Sequence, residues 1–138
     1  MSENTVKSAS AGAISGVKGI GPVGVVGLGL MGAACAARLA AAGFDVVGYD
    51  IDPEAAVRLG LPDERRAHSL AEIAARCEVC VIAVFNTAQV EAVLEGAQGL
   101  AASRDTGAER ERVPLAVVCI STCDPEAIAA LAARLPRE

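Results

Sequence analysis

Aromatic side chains are nearly missing from this 138-residue chain: there is no tryptophan, one tyrosine and two phenylalanines, although 53% of residues are hydrophobic. A core must therefore be built from Ala, Val, Leu and Ile, which suits helices packed closely on a sheet. No apolar run reaches the roughly 18 residues of a membrane span, and no basic segment precedes an apolar block at the N-terminus. A membrane partner is not expected, and the chain reads as cytoplasmic. Positive charge is scarce as well, since 12 Lys and Arg against 17 Asp and Glu leave a net −5. That balance argues against nucleic acid as a partner. A small anion remains open, because backbone amides bind one without net positive charge. No lysine follows Lys18, and His68 is the only histidine. Five cysteines, an odd number without a secretory signal, read as reduced thiols rather than a disulfide framework.

What is present is organised as alternation. Residues 1–20 are Ser/Gly/Ala-rich without apolar period and are expected to form a flexible arm. From residue 21 onward one domain is expected, long enough to bury a core. Strands are expected at 23–27, 45–49, 79–85 and 114–120, with a weak one at 66–68. Helices are expected at 30–42, 53–59, 69–76, 87–95 and 124–135, and an exposed polar loop at 101–112. The strands are apolar on successive residues, as when both faces of a parallel sheet are covered. Strands alternating with helices imply an α/β fold of the doubly wound, mostly parallel Rossmann type. Asp52-Pro53, Ser69 and Asp124-Pro125 have the chemistry of helix starts, and Gly43 that of a left-handed C-cap.

The stretch "VGVVGLGLMGAACAARLAAAGFDVVGYD", residues 23–50, carries the chemistry. In a strand–turn–helix unit with this glycine spacing, the first glycine (Gly27) permits the sharp exit from the strand. The second (Gly29) lets a pyrophosphate approach the backbone, and the third (Gly32) lets the helix pack on the strand. Free amides and the helix dipole over Leu28, Leu30 and Met31 would attract the phosphates. Asp50 follows Gly27 by 23 residues, at the end of the second strand, where a carboxylate accepts hydrogen bonds from both adenosine ribose hydroxyls. A dinucleotide is therefore the expected ligand. The charge of Asp50 opposes a 2'-phosphate, and neither Ile51 nor Asp52 supplies an arginine, so NAD is expected over NADP. Arg58 is near enough in sequence to keep NADP open.

Taken with "YDIDP", "CEVCVIAVFNTAQVEAVLEG" and "ISTCDP", the segment "VGLGLMG" resembles the N-terminal domain of the β-hydroxyacid dehydrogenases. That family includes 3-hydroxyisobutyrate, tartronate semialdehyde, threonate and 6-phosphogluconate dehydrogenases. The resemblance covers residues 22–135, and "NTAQVEAVLEG" leans towards the threonate-like branch. It implies that Phe85, Asn86 and Val90 lie against the cofactor, that Thr122 is a cofactor ligand and that Ser121 is a substrate ligand. Two positions depart from the family pattern: Cys119 stands where an Asp is usual, and Asn86 where a Pro is usual. Without the resemblance, Ser121 and Thr122 read as hydroxyls that only cap amides at a helix entry.

The resemblance further implies that the general acid/base is a lysine on a C-terminal helical domain that also holds the small hydroxy-acid substrate and through which copies associate. That domain is not contained in these 138 residues, and no other evident base follows residue 20. The chain is thus expected to be a cofactor half that binds without turnover. A stand-alone nucleotide-sensing regulatory module is the alternative, and a methyltransferase ranks below it. A third class would use the cysteines. Cys77, Cys80, Cys119 and Cys123 can be drawn as a zinc or redox site, but Cys80 and Cys119 are expected at opposite ends of neighbouring strands, about 13 Å apart. Small buried hydrophobes are the expected role instead, and no metal is expected.

Overall fold

The computed structural model of the chain describes residues 19–105 and 114–135. The expected arm therefore lies outside the described residues except for Gly19 and Ile20, as does the end of the expected polar loop.

Four parallel strands form one sheet: β1 (Val23–Val26), β2 (Val46–Tyr49), β3 (Val79–Ile82) and β4 (Ala116–Cys119), in the order β2-β1-β3-β4. The register is even, with Val23 opposite both Val46 and Val79, and Val79 opposite Ala116. Helices α1 (Leu30–Ala41) and α2 (Pro53–Arg58) follow β1 and β2, and α3 (Leu70–Arg76) leads into β3. After β3 come α4 (Thr87–Glu95) and α5 (Leu100–Asp105), and α6 (Pro125–Arg134) follows β4. Between α2 and α3, Asp63–Arg65 form a 3-10 turn that the sequence reading does not contain, and the weak strand at 66–68 is reduced to one parallel bridge between Gly48 and Arg66.

Two cores lie on the two faces of the sheet. Val23, Val25, Val46 and Val81 meet Ala36 of α1 and Ala55 and Ala56 of α2. On the other face Val26, Val47, Cys80 and Ile82 meet Ile73, Val90, Leu94, Leu100 and Leu131 from α3 to α6. Burying an aliphatic side chain as fully as Ile73 or Ile82 contributes roughly 1.5–3 kcal/mol, so valine and isoleucine replace the missing aromatics. The expected caps form: Asp52 Oδ1 accepts the Glu54 N–H at 3.0 Å, Ser69 Oγ the Glu72 N–H at 3.2 Å, and Asp124 Oδ1 the Glu126 N–H at 2.9 Å. Gly43 adopts φ +93° beyond α1, where a side chain would be strained.

Three expectations are corrected. β3 stops at Ile82: the Ala83 N–H still donates to the Val26 carbonyl at 2.8 Å, after which the chain leaves the sheet for the cap of α4. The start of the expected loop at 101–112 is helical, because Leu100 is buried against the α3 and α4 side and anchors α5. And β4 is not covered on both faces, since all four of its residues are exposed at the sheet edge.

Candidate functional site

A cleft of about 860 Å³ runs across the carboxyl ends of all four strands. Its floor is Val26 and Gly27 leaving β1, Ala83 and Val84 leaving β3, and the side of α4 formed by Gln89, Ala92 and Val93. One end is Tyr49, Asp50 and Ile51 after β2, and the other is Ile120, Ser121 and Thr122 after β4. The head of α1, Gly29 to Met31, overlooks the centre. Because β1 and β3 are neighbours whose following helices go to opposite faces, this is the point at which an open α/β sheet holds a ligand.

The three glycines of the turn differ in what the fold asks of them. Gly27 has φ +90°, and a Cβ there would lie 2.4 Å from the Ala83 carbonyl oxygen. A Cβ on Gly32 would lie 1.6 Å from the Gly27 carbonyl oxygen. Both are required by the close contact of α1 with the strand ends. Gly29 is different: it is extended, with φ −69°, and a Cβ there would meet nothing within 4 Å. Its missing side chain leaves open space directly before the helix. As N-cap, Gly29 also makes no side-chain hydrogen bond to the first turn, so the N–H groups of Leu30 and Met31 are left without an intrahelical acceptor. An open space beside free amides is a cradle for an anion.

Asp50 is fixed at the other side of that cradle. Its Oδ2 accepts the Leu28 N–H at 2.7 Å and its Oδ1 the Asp52 N–H at 2.8 Å. Asp52 itself pairs with Arg58 at 2.6 Å. Hydrogen bonding to Arg58 holds the Asp52 carboxyl below its ordinary range, and the same bond raises the Arg58 guanidinium, with the charge of Asp50 adding to it.

Of the expected site residues, Gly27, Gly29, Leu30, Met31, Asp50, Ile51, Phe85, Ser121 and Thr122 are brought to the cleft. Leu30, Ile51 and Phe85 are 90%, 86% and 87% exposed, so the rim is apolar and uncovered. Four expected residues are not in the lining. Leu28 turns into the core, and its N–H is taken by Asp50. Gly32 is buried within α1. Asn86 caps α4, its Oδ1 accepting the Gln89 N–H at 2.9 Å. Val90 is fully buried beneath α4. The helix turns its other side to the cleft: Gln89, Ala92 and Val93 have the i, i+3, i+4 spacing of one face, a signal readable from the sequence once Asn86 is placed as the cap. Tyr49 and Leu70 also line the cleft without having been expected there.

Ser121 Oγ accepts the Val84 N–H at 2.9 Å and donates to the Ile82 carbonyl at 3.5 Å. The hydroxyl thus ties the end of β4 to the end of β3 rather than capping α6, which Asp124 caps. Thr122 is exposed in the cleft wall. His68 does not line the cleft; it lies in an adjoining 390 Å³ cavity with Ser69 and Gln98, which shares Tyr49 and Leu70 with the cleft.

Cys35 is half-buried on α1, and the other four cysteines divide in two. Cys77 and Cys80 are buried, and burial pushes their thiols up to about 11 and about 12. Cys119 is exposed and so is not the small core residue expected, whereas Cys123 is half-buried and packs against the edge of the core. Cys80 stands opposite Val117, only two residues from Cys119 along the strand, which is about 7 Å rather than 13 Å. Among the described residues, no three His, Cys, Asp or Glu side chains come together as a metal site.

Residues 22–137 match the family described as the NAD binding domain of 6-phosphogluconate dehydrogenase. The chain belongs to that family. L-Threonate dehydrogenase of Cupriavidus necator is 42% identical over 85 residues, which cover 62% of this chain and 29% of that protein. The structure of 3-hydroxyisobutyrate dehydrogenase from Salmonella typhimurium aligns with a TM-score of 0.64 at 33% identity, over 81% of this chain and 36% of that one. That of the Mycobacterium tuberculosis 3-hydroxyisobutyrate dehydrogenase aligns at 0.65 with 23% identity, over 83% and 36%, and shows the shared fold. The chain spans about a third of the length of these relatives. It is an NAD-binding Rossmann domain of a dehydrogenase family, and among its described residues no helix is long and apolar enough to cross a membrane.

Proposed function

We propose that this chain is the cofactor half of an NAD-dependent dehydrogenase that oxidises the hydroxyl of a small β-hydroxy acid of the threonate or 3-hydroxyisobutyrate kind. The observation that carries the reading is Gly29, a glycine that the fold does not need, placed beside the free amides of α1 and across from a fixed carboxylate. These residues fit a dinucleotide. The amides of Leu30 and Met31 would hold the pyrophosphate, Asp50 the adenosine ribose, and the exposed side chains of Ile51 and Leu30 would cover apolar parts of the ligand. Asp50 Oδ1 and Oδ2 each accept one backbone N–H and keep lone pairs for two hydroxyls. NAD is preferred over NADP because a 2'-phosphate would meet the Asp50 charge, and because Arg58, the nearby cation, is engaged by Asp52.

When bound, the nicotinamide ring supplies the redox chemistry. This chain's contribution is to bind, to orient and to keep water from one side. Ser121 and Thr122, at the far end of the cleft from Asp50, would meet the substrate and the nicotinamide respectively. No lysine follows Lys18, His68 does not line the cleft, and the Asp50 carboxylate lies at the opposite end from Ser121, so this reading places no general base beside the substrate hydroxyl among the described residues. A second domain would supply that base and select the acid, in line with the share of the relatives' length that this chain covers. The expected result is saturable NADH binding, read by fluorescence or calorimetry, without oxidation of threonate or 3-hydroxyisobutyrate by this chain alone. Absence of NADH binding by folded protein would contradict the reading.

A further inference from the structure

Cys119 and Cys123 bracket residues 120–122, which form the β4 wall of the cleft. Four steps of extended chain would separate two such residues by about 13 Å. Here the chain bends at Ser121. Cys119 stands opposite Ile82, and Cys123 packs against the core cluster that holds Ile82, so the two side chains come to the same face of the sheet edge. The bend is held from both sides: Ser121 Oγ accepts the Val84 N–H, and the Asp124 N–H donates to Thr87 Oγ1 at 3.0 Å. Cys119 is open to solvent, whereas Cys77 and Cys80 are buried. Neither Cys119 nor Cys123 has a part in cofactor binding as read above.

We propose that Cys119 and Cys123 are an oxidisable dithiol, which hydroperoxides convert to a disulfide that contracts the β4 wall of the cleft. The Cys119 thiolate attacks the peroxide O–O bond, releasing an alcohol, or water from hydrogen peroxide, and becomes a sulfenic acid. The Cys123 thiolate then attacks that sulfur and expels hydroxide, which leaves as water after taking up a proton. In sum, two thiols lose two electrons and two protons, and one peroxide is reduced. Exposure makes Cys119 the sulfur that meets the oxidant. Cys123 is the resolving thiol, its own ionisation pushed up first by burial and then by the neighbouring Cys119. A disulfide needs sulfurs about 2.0 Å apart, so closing it pulls on the bend that the Ser121–Val84 and Asp124–Thr87 hydrogen bonds hold. The effect on the cleft rests on the cofactor reading above, whereas the disulfide itself does not.

The chain is treated with a small excess of hydrogen peroxide, alkylated and digested with trypsin. Both cysteines fall on the one peptide of residues 113–134. The expected result is that this peptide loses the mass of two hydrogens and takes up no alkylating agent, and that titratable thiols fall from five to three and return with dithiothreitol. Cys119→Ser and Cys123→Ser each abolish the change; Cys119 is exposed, so its variant keeps the fold. Alkylation of both cysteines after peroxide, or sulfinic acid at Cys119 beside an intact Cys123 thiol, overturns the proposal. NADH affinity should fall several-fold in the oxidised chain and stay unchanged in peroxide-treated Cys119→Ser. Equal affinity with the disulfide mapped overturns the effect on the cleft. If the reduced chain binds no NADH, the cofactor reading fails, and the peptide masses still decide whether the dithiol exists.

Discussion

Asp50 Oδ2 accepts the Leu28 N–H at 2.7 Å, so the acid that ends β2 is locked to the glycine turn that ends β1. One carboxylate both braces the cradle and presents its remaining lone pairs beside it. Hydrogen bonds to a charged group contribute about 1.5–3 kcal/mol each, and 1.4 kcal/mol is tenfold in affinity. Asp50→Ala is therefore expected to weaken NADH binding by at least roughly tenfold while affecting NADPH less, because it removes the charge that opposes the 2'-phosphate. Titration of both nucleotides checks this, and an unchanged ratio would mean that another residue reads the ribose.

Asn86 gives a contrasting case. It was expected against the cofactor, and its side chain is instead spent on the Gln89 N–H, while Gln89 Oε1 accepts the Phe85 N–H at 2.7 Å. Removing such a cap costs about 1 kcal/mol. Asn86→Ala should lower the thermal midpoint and leave NADH affinity within a factor of two or so; a large affinity loss with unchanged stability would return Asn86 to the ligand.

Acid should weaken the fold through Glu95, whose oxygens accept from Arg134 at 3.0 and 2.9 Å. That bidentate hydrogen bond holds the Glu95 carboxyl below its ordinary 4.5. A lowered folded value means that the stabilisation is fully present above pH 4.5 and is lost as pH falls through the folded value. The pair is exposed, so the effect is small and screened by salt. Urea midpoints across that range should fall less steeply in Glu95→Gln than in the parent chain, and equal slopes would remove the pair from the account.

The order of strands and helices was legible because valine runs, proline-capped helix starts and the glycine turn are all local signals. The cleft's centre was legible for the same reason, since Gly27, Gly29 and Asp50 lie within one strand–helix–strand unit. What failed depends on the packing of distant segments. Val90 and Gln89 are adjacent in sequence, and only the seating of α4 on the sheet decides that one is buried and the other lines the cleft. The exposure of Cys119 follows from β4 being the edge of the sheet, which the apolar run at 114–120 does not disclose. Leu28 reads as part of the turn, yet its side chain fills space over Gly48, where the absent Cβ leaves room for it.

Gly29 supplies the most direct test. A side chain there meets no protein atom within 4 Å, whereas one on Gly32 would collide with the Gly27 carbonyl. Gly29→Val should therefore fold with a near-parental thermal midpoint and show no NADH binding by calorimetry, because the side chain fills the space kept for the pyrophosphate. Parental NADH affinity in folded Gly29→Val would contradict the account.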